Sequence, residues 1–257
     1  MAKINLMSKN WQNLIVKNFD EASYRYTSVA TIQKFYAAKL AKYCSNFSVP
    51  SGLWVDLGSG TGLLANALEE IKPNQSVVRV DGAENMLIGH PKAKPTKIFN
   101  LNNGLPDLIK PPALIASSFV LHWLNKPEER LKEWFSALAP GGWLAISCPI
   151  RGSFPEWHDA ATKANVKCTA LPLPSQNSLL NGINQENIRF NKIETFTQEA
   201  PRVTSLLKQF VQFGAQSTPH KSLTVSQWRE LQKSWLISKS TYHPKLTWFI
   251  QVLLAQK

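Results

Sequence analysis

The chain has 257 residues, of which 44% are hydrophobic, and this length and apolar content predict a single folded unit with a sizeable core. Its net charge of +12 and pI of about 9.7 favour a large acidic partner, which could be a nucleic acid, a membrane surface or an acidic protein. The apolar residues form no run of about eighteen, which excludes a membrane span and a secretory signal and predicts a cytoplasmic protein. The three cysteines lack C-x-x-C spacing, which disfavours a disulfide framework and a zinc site, so we expect buried free thiols and no metal.

Residues 1–50 are predicted to form a helical lid. In SVATIQKFYAAKLAKYC, the apolar residues Val29, Ile32, Tyr36 and Leu40 recur at helical spacing. A helix should therefore precede the first strand, where it can fold over a ligand cleft.

Residues 51–150 alternate apolar runs with helical stretches. The predicted strands are LWVDL, SVVRV, TKIFN, ALIASS and WLAIS, and LKEWFSAL is a predicted helix that ends at the turn APGG. This alternation predicts an α/β fold with a doubly wound, mostly parallel sheet of the Rossmann-like kind.

Residues 151–257 are predicted to form a cap and the last strands of a seven-stranded sheet. The segment 149–187 is rich in Pro, Asn and Ser, which indicates loops and short helices. IRFNKIETFT alternates like a strand, TSLLKQFVQF repeats like a helix, and LTWFIQVLLA should be the final strand. Thr224 and Gln227 form a capping-box pattern before WRELQKSWLI.

A glycine-rich loop, VDLGSGTG, joins the first strand to a helix and predicts a nucleotide site. A dinucleotide fingerprint requires a third glycine at the position of Leu63, so NAD and FAD are disfavoured. The G-x-G-x-G spacing after the acidic strand end Asp56 resembles motif I of class I S-adenosylmethionine (SAM) methyltransferases.

The next strand supports a SAM site, because it ends in Asp81, whose carboxylate can accept both ribose hydroxyls. Met86 can pack on the adenine, and Asn100 or Asn102 stands where the superfamily often has an adenine-binding Asp, although both Asn residues are also ordinary loop formers. The predicted cofactor-binding residues are Asp56, Gly58, Ser59, Gly60, Gly62, Asp81, Gly82, Met86, Asn100, Leu101 and Ser117.

The segment SSFVLHW, after the fourth strand, is predicted to face the methyl acceptor. It lacks the N-P-P-Y-like residues of amine methylation and the cysteine nucleophile of cytosine methylation. A carboxylate acceptor is already ionised at neutral pH and needs no base, so aromatics such as Phe119 and Trp123 suffice to shape its pocket. His122 could serve a hydroxyl acceptor as a base, or be a strand-end histidine bonded to backbone.

Over nearly its whole length the chain resembles the malonyl-acyl-carrier-protein O-methyltransferase (BioC) family of biotin synthesis. The resemblance includes Phe19, Ala22 and Tyr26 in F-x-x-A-x-x-x-Y, then Gln33, VDLGSGTG, SSFVLHW, APGG, GSFPEWHDA, FGA and SQWRELQKSW. It implies methyl transfer from SAM to the carboxylate of a malonyl thioester on an acidic acyl carrier protein or coenzyme A. The acceptor pocket would then include Tyr26, Phe119, His122, Trp123 and Arg151, with Arg151 a candidate anchor for the carboxylate.

The sequence departs from that family at Val211, where a lysine is common, so Lys208 is the candidate carrier contact here. Three alternatives stay open: a methyltransferase for another small carboxylic acid or metabolite, an RNA methyltransferase, and a SAM-binding subunit without activity. The RNA alternative fits the charge but not the missing amine and cysteine chemistry, so nucleic acid is the less favoured partner.

Overall fold

The structure is a computed structural model and describes residues 9–218, 220–237 and 241–257. The strands of these residues are β1 (Trp54–Leu57), β2 (Val77–Asp81), β3 (Thr96–Ile98), β4 (Leu114–Ser118), β5 (Trp143–Pro149), β6 (Ile188–Glu199) and β7 (Lys245–Gln256). The α-helices are α1 (Lys9–Val29), α2 (Thr31–Ser45), α3 (Leu63–Ile71), α4 (Glu84–Ile88), α5 (Pro127–Ala137), α6 (Pro155–Lys163), α7 (Gln176–Leu180), α8 (Val203–Gln212) and α9 (Val225–Ser234).

The strands form one seven-stranded sheet in the order β3-β2-β1-β4-β5-β7-β6. Strands β1 to β5 are paired in parallel, whereas β7 runs antiparallel to both β5 and β6. The strand order reverses between β1 and β4, which is where open α/β sheets bind ligands. The predicted doubly wound, mostly parallel fold is confirmed.

The central strands are continuous apolar runs because helices cover both of their faces. Every residue of β1 and of β5 is buried. On one face α2 and α3 pack on a cluster that includes Tyr36, Leu68 and Trp143. On the other face Leu131 and Trp134 of α5 are fully buried.

The N-terminal region contains two helices, α1 and α2, whereas the apolar pattern predicted one. The expected helix is α2, and α1 before it was not predicted as a separate element, since its polar residues interrupt the apolar pattern. Helix α1 is attached to the cap: the Arg25 Nε atom donates to the Gln212 carbonyl at 2.7 Å, and the Asn18 Nδ2 atom donates to the Ser217 Oγ atom at 2.7 Å. The first eight residues of the predicted lid lie outside the described residues.

The predicted cap of short helices corresponds to α6, α7 and a 3-10 turn at Gln185–Asn187. The capping box at the start of α9 is confirmed: the Thr224 Oγ1 atom accepts from the Gln227 N–H at 3.3 Å, and the Gln227 Oε1 atom accepts from the Thr224 N–H at 3.0 Å. Within the described ranges, no helix combines the length and the apolar character needed to cross a membrane.

Candidate active site

The glycine loop between β1 and α3 requires glycine for two reasons. Gly58, Gly60 and Gly62 have φ values of 71°, 52° and 86°, in the left-handed region that disfavours residues with a Cβ atom. A Cβ atom on Gly58 would also lie 2.2 Å from the Val120 side chain. The loop can therefore approach a ligand with bare backbone.

Asp81, at the end of β2, organises this loop. Its carboxylate accepts hydrogen bonds from the Gly60 N–H at 2.7 Å and from the Ala83 N–H at 2.8 Å. Burial raises the pKa of Asp81, although these backbone hydrogen bonds oppose the change. Each carboxylate oxygen keeps capacity for a further donor, which fits a ribose diol.

The cofactor cavity has a volume of about 110 Å³ and lies between α1, the glycine loop and the ends of β2 and β4. Seven of the predicted cofactor residues line it: Gly58, Gly60, Asp81, Gly82, Met86, Asn100 and Leu101. Asp56 and Ser59 line a narrower space of about 30 Å³ beside the same loop. Gly62 and Ser117 line neither space, and the buried Ser117 Oγ atom donates to the Leu57 carbonyl at 2.7 Å.

The structure changes the predicted role of Asn100. Its Oδ1 atom already accepts from the Asn102 N–H at 3.0 Å and from the Asn102 Nδ2 atom at 3.2 Å. These bonds hold the short 3-10 helix at Leu101–Asn103, so the atom expected to accept from an adenine amino group is engaged in the turn.

Asp56 is an almost fully buried carboxyl group beneath the glycine loop, with 1% of its surface exposed. Its Oδ2 atom accepts from the Ala65 N–H in the first turn of α3 at 3.1 Å. Burial raises the pKa of Asp56 to about 7, opposed by the Ala65 hydrogen bond and the Arg79 charge. A cationic ligand group beside it would favour its ionised form.

A second cavity, of about 250 Å³, opens from the cofactor cavity toward the cap. The two cavities share four aromatic residues: Phe19, Tyr26, Phe119 and Trp123. Phe19 and Trp123 meet edge to face, with 5.4 Å between ring centroids. The two cavities therefore meet at this aromatic junction, and we call the second one the acceptor cavity.

Aromatic side chains from distant segments form the wall of the acceptor cavity. Phe154 follows β5, Phe210 lies on α8, and Trp248 lies on β7, where its ring stacks on Phe210 with centroids 5.4 Å apart. Among the described residues, no aspartate, glutamate, lysine or arginine lines this cavity.

Two wall residues have strained backbones. Phe119 and Phe154 have φ values of 60° and 64°, which are rare for residues with a Cβ atom. Their N–H groups donate to the Ser147 and Thr247 carbonyls at 2.8 and 2.7 Å. Such strain costs roughly 1–3 kcal/mol and is concentrated at functional sites, which agrees with two rings being directed into the same cavity.

The acceptor cavity offers no effective base. Its titratable lining residues in the described chain are Tyr26 and His122. Burial, followed by the charges of Asp81 and Asp56, raises the pKa of Tyr26, so its phenol stays protonated. Burial lowers the pKa of His122 to about 3, so its imidazole is neutral and very weakly basic.

Of the five predicted acceptor residues, the structure brings four together and leaves one outside. Tyr26, Phe119, His122 and Trp123 line the acceptor cavity. Arg151 is exposed, and its backbone N–H donates to the Pro174 carbonyl at 2.8 Å. The turn after β5 therefore directs Arg151 away from the cavity that it was expected to serve.

Sequence reasoning missed most of the aromatic wall and the placement of Gln33, which lines both the acceptor cavity and the space beside the glycine loop. The wall residues not predicted as site residues include Phe154, Trp157, Phe210, Trp228 and Trp248. The region after β5 is no richer in aromatic residues than the chain as a whole, and no spacing rule connects the wall residues, so no local signal identified them.

The fold and the paired cavities define a class I methyltransferase architecture, and comparisons with known proteins agree. The model of a family described as a methyltransferase domain matches residues 29–196, more than half of the chain. The chain therefore belongs to the methyltransferase domain family, and its cofactor is SAM.

Curated relatives include two kinds of methyltransferase. The bifunctional biotin biosynthesis protein BioCD of Bordetella avium is 32% identical over 168 residues, which are 62% of this chain and 35% of that protein. The trans-aconitate 2-methyltransferase of Sinorhizobium fredii is 36% identical over 106 residues, 39% of this chain and 40% of that protein. The malonyl-[acyl-carrier protein] O-methyltransferase of Marinomonas is 25% identical over 158 residues, 59% of this chain and 57% of that protein.

This chain thus spans between about a third and three fifths of the length of these relatives. Among solved structures, YcgJ of Bacillus subtilis has a TM-score of 0.59 at 10% identity, covering 87% of this chain and 98% of that one. A SAM-dependent methyltransferase of Thermotoga maritima has a TM-score of 0.54 at 16% identity, covering 96% and 100%. These similarities confirm the fold.

Proposed function

We propose that the protein transfers a methyl group from SAM to the free carboxylate of a malonyl thioester, carried on an acyl carrier protein or coenzyme A. The product is a methyl ester, as in an early step of biotin synthesis. The observation that carries the proposal is the acceptor cavity, in which the described lining residues include no charged side chain and no effective base. We also propose that the protein acts in the cytoplasm, as the sequence predicts.

Because these residues include no effective base, the acceptor should be a group that is already deprotonated at neutral pH. An alcohol or a protonated amine must lose a proton during methylation, and a histidine with a pKa of about 3 removes it poorly. A carboxylic acid, with a pKa of about 4, is already ionised at neutral pH. Catalysis then consists of holding an oxygen close to the methyl group and excluding water, which the aromatic junction can do.

The cofactor residues fit SAM. Asp81 can accept the ribose hydroxyls, and Met86 and Leu101 line the cofactor cavity, where they can pack on the adenine. Asp56 lines the space beside the glycine loop, where its carboxylate can pair with the cationic amino group of SAM. When bound, SAM supplies an electrophilic methyl group on a positively charged sulfur. The rings of Phe19, Tyr26 and Trp123 would favour that charge by cation–π attraction.

The relatives offer a second carboxylate substrate, trans-aconitate, but the acceptor cavity favours the malonyl thioester. Trans-aconitate carries three carboxylates, and each additional buried charge without a partner costs several kcal/mol. A malonyl thioester carries one carboxylate, and the rest of its acyl group is uncharged. The lining of aromatic and uncharged polar residues suits that substrate better.

The test is a comparison of acceptors by kcat/KM: malonyl-CoA, malonyl carrier protein, trans-aconitate, bulk RNA, and thioesters that end in a hydroxyl or an amine instead of a carboxylate. We expect turnover of the two malonyl thioesters, with trans-aconitate at least about 100-fold less efficient. Preference for trans-aconitate would assign the protein to small-acid methylation. Methylation of the hydroxyl analogue at neutral pH would contradict the carboxylate proposal.

A further inference from the structure

Gln33, on α2, lies at the boundary between the glycine loop and the acceptor cavity. Its side chain lines both spaces and has only 7% of its surface exposed. Within the described part of the chain, its buried Oε1 atom has no hydrogen-bond partner. An unpaired buried amide group is costly, and no other side chain of the described residues commits the Gln33 amide, so it is available to a polar ligand at this boundary.

His122 is a second residue in the lining of the same cavity that has a buried polar atom without a partner. It lies on the short 3-10 helix at Leu121–Trp123, and 6% of its surface is exposed. Its Nδ1 atom also has no partner among the described residues. Since the imidazole is neutral, one of its two ring nitrogens carries a proton and can donate.

The acceptor cavity is the only one of the spaces described above that both residues line. His122 lines neither the cofactor cavity nor the space beside the glycine loop. A ligand that satisfies both side chains must therefore lie in the acceptor cavity, close to the aromatic junction. This placement points to the acceptor rather than to the cofactor.

We propose that Gln33 and His122 bind the acceptor carboxylate, each donating one hydrogen bond, from the Gln33 amide NH₂ group and from a ring N–H of His122. The assignment rests on the proposed function and names the residues that determine its specificity.

These donors suit the reaction because both are uncharged. One carboxylate oxygen forms a bond to the methyl carbon with its lone pair, the carbon–sulfur bond breaks, and its electron pair stays on sulfur, with no proton transferred. A guanidinium in the same place would lower the nucleophilicity of that oxygen and repel the positive sulfur. Two neutral donors orient the carboxylate without either effect.

The same arrangement predicts selection for acids with a single carboxylate. Gln33 and His122 satisfy one carboxylate, and no lysine or arginine of the described lining can receive another. A dicarboxylate or tricarboxylate would therefore leave a charge unpaired in the cavity.

The test is the substitution Gln33→Glu, which keeps the shape of the side chain, replaces its NH₂ donor with an oxygen and adds a negative charge. We expect kcat/KM for malonyl-CoA to fall about 100-fold, mainly through KM, because the new carboxylate repels the acceptor. SAM affinity, measured by calorimetry, should change less than about 3-fold, and so should binding of the uncharged methyl ester product. Lowering the pH should partly restore activity, because the carboxylate introduced by the substitution gains a proton.

Two further variants complete the design. Gln33→Met keeps the apolar volume without a donor and should raise KM about 10-fold, with SAM affinity retained. Gln185→Glu makes the same substitution at an exposed position, in the 3-10 turn before β6 and outside both cavities, and should leave the kinetics unchanged. Thermal unfolding of each variant identifies any that do not fold.

The outcomes separate this assignment from the proposed function. Wild-type protein that methylates malonyl-CoA, with Gln33→Glu and Gln33→Met equally active, would overturn the role of Gln33. Loss of SAM affinity in Gln33→Met, with KM for malonyl-CoA unchanged, would assign the residue to the cofactor instead. A wild-type protein that methylates no carboxylate would reject the proposed function and this assignment together.

Discussion

At the scale of single residues, the buried Asp56 connects pH to stability and cofactor binding. Burial raises its pKa to about 7 in the folded protein, whereas an unfolded chain has a carboxyl pKa of about 4. The folded protein therefore holds a proton that the unfolded chain releases between these values. The stability contributed by Asp56 is present below about pH 4 and is lost as the pH rises through about 7.

Replacing Asp56 with the uncharged Asn should remove this dependence. Between about pH 5 and pH 8, the free energy of unfolding of the cofactor-free wild type should fall relative to that of Asp56→Asn by about 1 kcal/mol or more. SAM affinity of the wild type should rise over the same interval, because a cationic ligand favours the ionised carboxylate. Urea denaturation and calorimetry measure both, and parallel pH profiles of the two proteins would contradict this role.

The strained backbone of Phe119 makes an unusual prediction for stability. Glycine is normally less stable than alanine in ordered structure, but at a φ of 60° the order should reverse. We expect the free energy of unfolding of Phe119→Gly to exceed that of Phe119→Ala by about 1 kcal/mol. Both variants should lose activity, because both lack the aromatic ring. Equal or reversed stabilities in chemical denaturation would show that the backbone relaxes after the substitution. Leu121→Gly and Leu121→Ala provide the comparison at a neighbouring buried position without positive φ.

At the scale of secondary-structure elements, the attachment of α1 to α8 holds the junction together. Helix α1 carries Phe19 and Tyr26, and Arg25 on the same helix donates to the Gln212 and Val211 carbonyls at 2.7 and 3.3 Å, at the C-terminal end of α8. A cation at this end also interacts favourably with the helix dipole. Arg25 therefore links the cofactor side of the lid to the cap.

Arg25→Ala should lower the free energy of unfolding by about 1 kcal/mol, which corresponds to roughly 2–4 °C in Tm for a chain of this size. SAM affinity should also fall several-fold, because the aromatic junction loosens. Lys17→Ala is the matched control, since Lys17 lies on the same helix and its one ion pair among the described residues is an exposed 3.7 Å contact with Glu21. If Arg25→Ala behaves like Lys17→Ala, the attachment does not support the junction.

The elements were predictable from the sequence to a greater extent than the acceptor cavity. Apolar runs predicted six of the seven strands, and alternation predicted β6. The signal is clearest in β1 and β5, because a strand that is buried along its whole length carries it in its own residues. Phe154, Phe210 and Trp248 come together only through the fold, so no local pattern shows that they share a cavity. The prediction that Arg151 lines the acceptor cavity was wrong for a related reason, because the position of this residue depends on the turn after β5.

At the scale of the whole molecule, the net charge of +12 has a distribution that fits an acidic partner. The segments 160–185 and 200–229, which supply much of the acceptor cavity wall, contain no acidic residue. Their basic residues are Lys163, Lys167, Arg202, Lys208, Lys221 and Arg229. The positive charge of these two segments beside the cavity would attract an acidic carrier protein by long-range electrostatics.

This attraction should depend on salt. We expect KM for malonyl carrier protein to rise about 10-fold between roughly 50 and 300 mM NaCl, with kcat nearly constant, because screening weakens encounter rather than chemistry. The matched substrate is malonyl-pantetheine, which lacks the carrier and should show little change. The same salt dependence for both substrates would mean that the carrier surface is not recognised.

The central claim is carboxylate methylation, and the most direct measurement is the transfer of radiolabelled methyl groups from SAM to malonyl carrier protein, followed by mild alkaline hydrolysis. We predict label on the malonyl carrier protein, none on the unacylated carrier, and release of the label by alkali as expected for a methyl ester. Label that resists alkali, or that appears only on RNA or on a free acid, would contradict the proposed acceptor while leaving SAM as the cofactor.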